Sequence, residues 1–145
     1  MVTLGTLIDK THHYPVRVYY EDTDQQGVVF YANYLKFLER GRTEILRHLG
    51  ASPIEVESKF NCLFVVAHVD IRYHKPARLD DVLDVQTTLS TLGRVKLTMS
   101  QSIIRGHGLN QELISSAAVS IAVVNHAGRP TRLPPEIQAR FAHLI

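Results

Sequence analysis

The stretch EDTDQQGVVFYANYLKFLERGRTEIL, residues 21–46, sets an acidic turn and a glycine directly in front of a long amphipathic segment. Over residues 33–49, Tyr34, Leu38, Gly41, Ile45 and Leu49 share one helical face, widened by Leu35 and Leu46. Lys36, Arg40, Thr43, Glu44 and Arg47 fall on the opposite face, and Gly50 supplies a stop. This spacing predicts a helix with one buried stripe. The turn-rich run from Asp22 through Gly27 precedes it. An ionised carboxylate therefore lies a few residues from a helix N-terminus, where unpaired backbone N–H groups and the helix dipole favour developing negative charge. A base beside such donors is the minimum equipment for hydrolysing an activated carbonyl.

Working outward, residues 14–21 alternate Val16, Val18 and Tyr20 against Arg17, Tyr19 and Glu21, the period of a half-buried strand. Pro53 opens a short helical segment. Then Leu63, Val65, Ala67, Val69, Ile71 and Tyr73 alternate with Phe64, Val66, His68, Asp70, Arg72 and His74 in a long strand that Lys75-Pro76-Ala77 ends. Residues 83–92 and 95–104 read as a hairpin turning near Gly93. Residues 113–124 are apolar or small, as in a central strand, and the Ala117-Ala118 pair there would admit a close helix. Pro134-Pro135-Glu136 suits the start of a final short helix with Ile137, Phe141 and Leu144 inward. One long helix inserted after the first of about five strands predicts an α+β arrangement, an antiparallel sheet covering a helix, rather than alternating parallel units. With 145 residues and no linker or repeat, residues 1–145 are expected to form a single domain.

Composition narrows the function classes. A formal charge of +2, with acidic and basic residues interspersed, gives no electrostatic case for nucleic acid or membrane binding. No window approaches the ~20 apolar residues of a membrane span, and no secretory leader is evident, so a cytoplasmic protein is expected. Cys62 is the lone cysteine and reads as a buried, inert thiol. The eight histidines show no metal-ligand spacing, so neither a metal nor another cofactor is expected. Serine-elbow, Walker and dinucleotide motifs are absent from the sequence.

Three features carry chemistry. Asp24 lies three residues before Gly27 and seven before Tyr31; it reads either as a base or nucleophile or as a turn aspartate bonding its own backbone, and Glu21 and Asp22 compete for the role. The helix start Phe30-Tyr31-Ala32-Asn33 offers free N–H donors, as every helix start does, here with a carboxylate close by in sequence. Arg94 and Lys96, flanking a hairpin turn, suit either phosphates or a solvated edge strand.

The run 16–24, VRVYYEDTD, followed by Gly27-Val28-Val29-Phe30-Tyr31-Ala32-Asn33-Tyr34-Leu35, resembles the hotdog-fold acyl-CoA thioesterases of the 4-hydroxybenzoyl-CoA thioesterase superfamily, and within it the bacterial thioesterases associated with the Tol-Pal system. Glu39-Arg40-Gly41-Arg42-Thr43-Glu44 and Tyr73-His74-Lys75-Pro76-Ala77-Arg78-Leu79-Asp80-Asp81-Val82-Leu83 extend the match. The resemblance implies a five-stranded antiparallel sheet wrapped around one long central helix, in homodimers or homotetramers with the active site at the dimer interface. It implies Asp24 as the catalytic carboxylate and the Tyr31 backbone N–H as the donor that polarises the thioester carbonyl. Tyr20 would line the site and Gly27 would shape its turn. Phe64, Val65 and Val66 would follow the pantetheine arm, and Arg94 or Lys96 would meet the nucleotide phosphates. At Tyr31 the chain has the tyrosine common in aroyl-CoA members, where Tol-Pal-associated members usually carry histidine. Two rivals stand beside hydrolysis of acyl-CoA. One is a hotdog dehydratase, which needs a histidine that this helix motif lacks. The other is a non-catalytic subunit that binds acyl groups or acyl carrier protein in a membrane-associated assembly.

Overall fold

The computed structural model describes residues 2–145. In chain order it contains β1 (Thr6–Ile8), β2 (Thr11–Arg17), α1 (Asn33–His48), α2 (Pro53–Phe60), β3 (Leu63–Tyr73), β4 (Val82–Leu92), β5 (Lys96–Arg105), β6 (Glu112–Val124) and α3 (Pro135–Ala142). The strands form one antiparallel sheet in the order β1-β2-β4-β5-β6-β3. Its inner face packs on α1, which lies across β2 and β4. This is the expected hotdog α+β arrangement with six strands instead of five. The added β1 folds back on β2 after Asp9, whose φ of 56° makes the reversal, and three residues are too few to carry a readable period.

Helix α1 buries Tyr34, Phe37, Leu38, Gly41, Ile45 and Leu46. Two expectations fail at its margins: Leu35 is exposed, and Glu44 is buried. The N-terminal segment lies over that side of the helix, so Glu44 accepts the Leu4 N–H at 3.1 Å and pairs with Arg47 at 3.1 Å. Close approach of helix to sheet occurs at Gly41, on β4 and β5, rather than at the Ala117-Ala118 pair on β6. A methyl at Gly41 would come within 2.8 Å of Val85, 2.9 Å of Thr87 and 3.2 Å of Gln101, so the contact is with β4 and β5. Ala117 faces inward on β6, while Ala118 faces the outer surface. Gln101, buried, donates to Leu38 O and Thr87 Oγ1, both at 2.9 Å, and accepts from Arg42 at 3.0 Å.

Strand β3 spans the predicted residues, but its alternation changes sides. A bulge at Ala67 separates the pairs Val66–Ile121 and His68–Ser120, so Phe64 and Val66 face inward together with Val69, Ile71 and Tyr73. Val65 thus lies on the outer face. Lys96 opens β5 and Arg94 lies in the turn before it, so neither is on an edge strand: β5 sits between β4 and β6, and the free edges belong to β1 and β3. The first long strand is also displaced from residues 14–21. It begins at Thr11 and ends at Arg17, because Tyr20–Asp22 coils into a 3-10 turn.

That turn is bound to α1 through Asp22. One carboxylate oxygen accepts the Tyr19 N–H at 2.9 Å and the other accepts the Asn33 side-chain amide at 3.1 Å, both out of bulk water. Replacing Asp22 with Ala leaves two donors unanswered. It should lower stability by about 1–3 kcal/mol in urea unfolding, while Asp24→Asn, on an exposed side chain, should stay within about 0.5 kcal/mol of wild type.

A second buried polar group governs pH dependence. His12 is wholly buried on β2, donates through Nε2 to Leu4 O at 3.0 Å and meets the His48 ring at 4.8 Å. His12 Nδ1 and His48 Nε2 are buried without a partner among the described residues. Burial holds His12 below the usual imidazole range, helped by His48 and His13 and opposed by the Leu4 bond and Glu44. A depressed folded pKa means that the stability present above about pH 6.5 is lost as pH falls below it. The melting temperature should therefore drop between pH 7.5 and pH 5, and His12→Gln should flatten that dependence.

Candidate active site

The two blocks of sequence around Asp24 and around Pro76 meet in space. Val29 N–H donates to Ala77 O at 2.9 Å, Val28 bridges Arg78, and Ala77 N–H donates to the Tyr34 hydroxyl at 3.1 Å. Arg105 supports the far side of this loop through Pro76 O at 3.1 Å, Asp81 at 2.7 Å and Glu112. The helix start is thus held from the sheet as well as from its own turn.

Asp24 opens a tight turn in which its N–H donates to Val28 O at 2.9 Å and Gly27 N–H returns to Asp24 O at 3.1 Å. Gly27 has φ of 78°, a conformation that side chains disfavour. Gln26 N–H binds Asp24 Oδ1 at 2.9 Å, so the carboxylate does bond its own backbone. Its Oδ2 has no protein partner among the described residues, and the side chain is exposed. Asp22, the competitor, is buried and has both oxygens engaged as described above, so burial withholds it from substrate and bulk water. Glu21 is exposed on the 3-10 turn, as is Tyr20, which is 82% accessible.

At the helix start, Phe30 N–H donates to Asp22 O at 2.9 Å and Asn33 N–H donates to Phe30 O at 2.8 Å. The N–H groups of Tyr31 and Ala32 have no acceptor among the described residues, and no side chain caps the helix. Tyr31 is 63% exposed; its carbonyl accepts the Tyr73 hydroxyl at 3.1 Å. Tyr31, Tyr34, Tyr73 and Lys75 line a shallow pocket of about 250 Å³. Partial burial and the neighbouring Tyr31 push the Tyr73 hydroxyl up, so it stays protonated at neutral pH. In the sequence Tyr73 ends a strand and opens the second block of the resemblance; nothing in its spacing signals that its hydroxyl reaches Tyr31.

The remaining candidates gather elsewhere. Phe64 is half-buried and its ring lies 6.1 Å from that of Phe141, while Val65 and Val66 are exposed. Lys96 pairs with Ala122, and Ala122 pairs with Val65, so these residues form one row across the sheet. Arg94 belongs to the same end and shares a hollow of about 400 Å³ with Arg132, a cation that sequence reading left out. The row through Tyr73 crosses Ser115 and Ile103 at the other end. The seven steps along the strand from Val66 to Tyr73 correspond to roughly 23 Å, so within one chain the Phe64 group and the Asp24–Tyr31 group stand apart. Cys62 is buried and its thiol is pushed up by burial. Among the described residues no three His, Cys, Asp or Glu side chains gather as metal ligands, and no helix is long and apolar enough to cross a membrane.

Residues 26–111 match the model of the thioesterase superfamily, a segment that includes Tyr31 and begins two residues after Asp24. The acyl-CoA thioesterase YbgC of Haemophilus influenzae is 39% identical over 139 residues, covering 95% of this chain and 99% of that protein. The acyl-CoA thioester hydrolase YbgC of Escherichia coli O6:H1 is 40% identical over 129 residues, covering 88% and 93%. Among solved structures, a probable thioesterase from Bartonella henselae superposes with a TM-score of 0.79 at 38% identity, covering 86% of this chain and 99% of its own. The chain belongs to the thioesterase superfamily and is a thioester hydrolase of the hotdog fold.

Proposed function

We propose that this protein hydrolyses acyl-CoA thioesters to the free acid and coenzyme A, with Asp24 as the catalytic carboxylate and the Tyr31 backbone N–H as oxyanion donor. One observation carries the reading: a carboxylate with an unengaged oxygen opens the turn that leads directly into two unbonded amides at a helix start. Water and the thioester supply every atom. As a base, Asp24 takes a proton from water while the new C–O bond forms; the C–S bond then breaks and the thiolate leaves with a proton. As a nucleophile, Asp24 forms a mixed anhydride as the thiolate departs, and water then cleaves the anhydride. In either route negative charge develops on the thioester oxygen, where an aimed N–H donor is worth ~10²–10³ in rate. The Tyr31 side chain is not required for that role.

The sheet's free edge supports a shared site. Strand β3 has eleven residues and presents unpaired backbone groups along one side. Antiparallel pairing of β3 with β3 of a second copy would bring Phe64, Val65 and Val66 of one chain toward the Tyr73 end of the other. The pantetheine arm would then run along the partner's strand toward Asp24, and Arg94 and Lys96 would stand near the nucleotide phosphates. Exposed Tyr20 would close the mouth beside Asp24, and Gly27 would keep its turn tight. The same reading assigns a homodimer, or a homotetramer built from it, acting in the cytoplasm, on a coenzyme A or acyl carrier protein thioester, within a Tol-Pal-associated role.

The test is thiol release from short-chain, long-chain and aromatic acyl-CoAs by wild type and Asp24→Asn. The variant should lose at least about a hundredfold in kcat with its fold intact. Unchanged hydrolysis in the variant would sink the assignment, and no release by wild type from any acyl-CoA would favour the non-catalytic acyl or carrier-protein binding subunit. Light scattering should give twice the 16.4 kDa chain mass or a multiple of it; a fully active monomer would remove the shared site.

A further inference from the structure

The two amides at the start of α1 differ in what holds them. A peptide group is planar and trans, so its C=O and N–H point in opposite directions, and a bond that fixes one fixes the other. In the Phe30–Tyr31 peptide the carbonyl accepts Asn33 N–H at 2.8 Å, which aims the free Tyr31 N–H away from the helix. In the Tyr31–Ala32 peptide the carbonyl accepts the Tyr73 hydroxyl at 3.1 Å, and the Ala32 N–H is the free end. One amide is therefore set by the helix itself. The other is set by a side chain that comes from the edge strand β3.

The aromatic rings around this bond keep it in place. Tyr73 meets Tyr31 edge to face, with centroids 6.2 Å apart at 88°, and lies 5.5 Å from Tyr34 at 52°. Tyr34 is buried and in turn accepts the Ala77 N–H. Tyr73 is 46% exposed, and these two ring contacts favour the orientation that points its hydroxyl at the Tyr31 carbonyl. A donor on the carbonyl side also polarises the peptide, which strengthens the N–H on its other side.

Resting on the reading of Asp24 and Tyr31 given above, we propose that Tyr73 is a positioning residue for thioester hydrolysis: its hydroxyl holds the Tyr31–Ala32 peptide so that the Ala32 N–H joins the Tyr31 N–H as a second donor to the thioester oxygen. The charge on that oxygen grows only as the tetrahedral state forms, so the second donor acts chiefly on kcat. Because Tyr73 ends β3, the strand that presents the free edge also sets the geometry of the oxyanion donors.

The experiment compares wild type, Tyr73→Phe and Asp24→Asn on the best acyl-CoA of the panel. Tyr73→Phe keeps the ring and removes only the hydroxyl. Its kcat should fall about tenfold while KM stays within about twofold and the melting temperature within about 2 °C, since one polarising donor is lost and no packing. The Ala32 amide proton should move upfield in the NMR spectrum of the variant, a readout that holds whatever the activity. A wild-type kcat in Tyr73→Phe, an unmoved Ala32 amide, or a loss of kcat that only follows a loss of fold would each overturn the role of Tyr73 while Asp24→Asn remained inactive. Hydrolysis persisting in Asp24→Asn would instead overturn the underlying reading, and the role of Tyr73 with it.

Discussion

The seating of α1 on β4 and β5 at Gly41 is the constraint from which the rest of the molecule takes its position. Eight residues, or roughly 12 Å of helix, separate Gly41 from Asn33, so any lift of the axis at Gly41 would carry the helix start with it. A glycine inside a helix costs about 1 kcal/mol of propensity, and here that cost is offset by the approach it permits. The contact is also polar at its centre. The Gln101 amide reaches a helix carbonyl, a β4 hydroxyl and the Arg42 guanidinium at once, so the helix is fixed in rotation and along its axis as well as in distance. Apolar packing alone would leave sliding modes that a hydrogen-bonded amide removes.

With the helix fixed, its N-terminus meets the loop after β3. Backbone bonds from Val29 to Ala77 and from Ala77 to Tyr34 join segments far apart in sequence, and Arg105 braces that loop from the opposite side. Asp22 joins the preceding turn to Asn33. Asp24, like Glu21, is left at the surface of an assembly that is otherwise tied down. The carboxylates of Asp22 and Asp24 differ by burial: the buried one holds structure, and the exposed one keeps an oxygen without a protein partner among the described residues.

Much of this was legible in the chain because the relevant periods are local. The helix stripe, the hairpin at Gly93, the β3 limits and the inward face of α3 come from spacing that a few residues define. What escaped depended on distant partners. Glu44 reads as a surface residue until the N-terminal segment lies over it. Arg94 and Lys96 read as an edge until β6 and β4 flank β5. The bulge at Ala67 reverses a strict alternation without any glycine or proline to mark it. The early end of β2 follows from a 3-10 turn whose hydrogen bonds join residues only three apart and leave no period. For the candidate site, the sequence supplied Asp24, Gly27 and Tyr31 in order, but not that Asp22 is buried and engaged, nor that Tyr73 reaches the helix start.

Strand β3 has a further consequence, for how the chain reaches this state. It is followed in sequence by β4 and β5, yet it hydrogen-bonds only to β6, the last strand. During synthesis β4 and β5 can pair as a hairpin once both are made, whereas β3 emerges before them and has no strand to pair with until β6 leaves the ribosome. Closing that long loop is slow, and an apolar strand open on both sides is the species most prone to pair with the wrong chain. The edge is thus completed only after translation of β6, and until then Leu63, Phe64, Val65 and Val66 of the nascent chain need shielding.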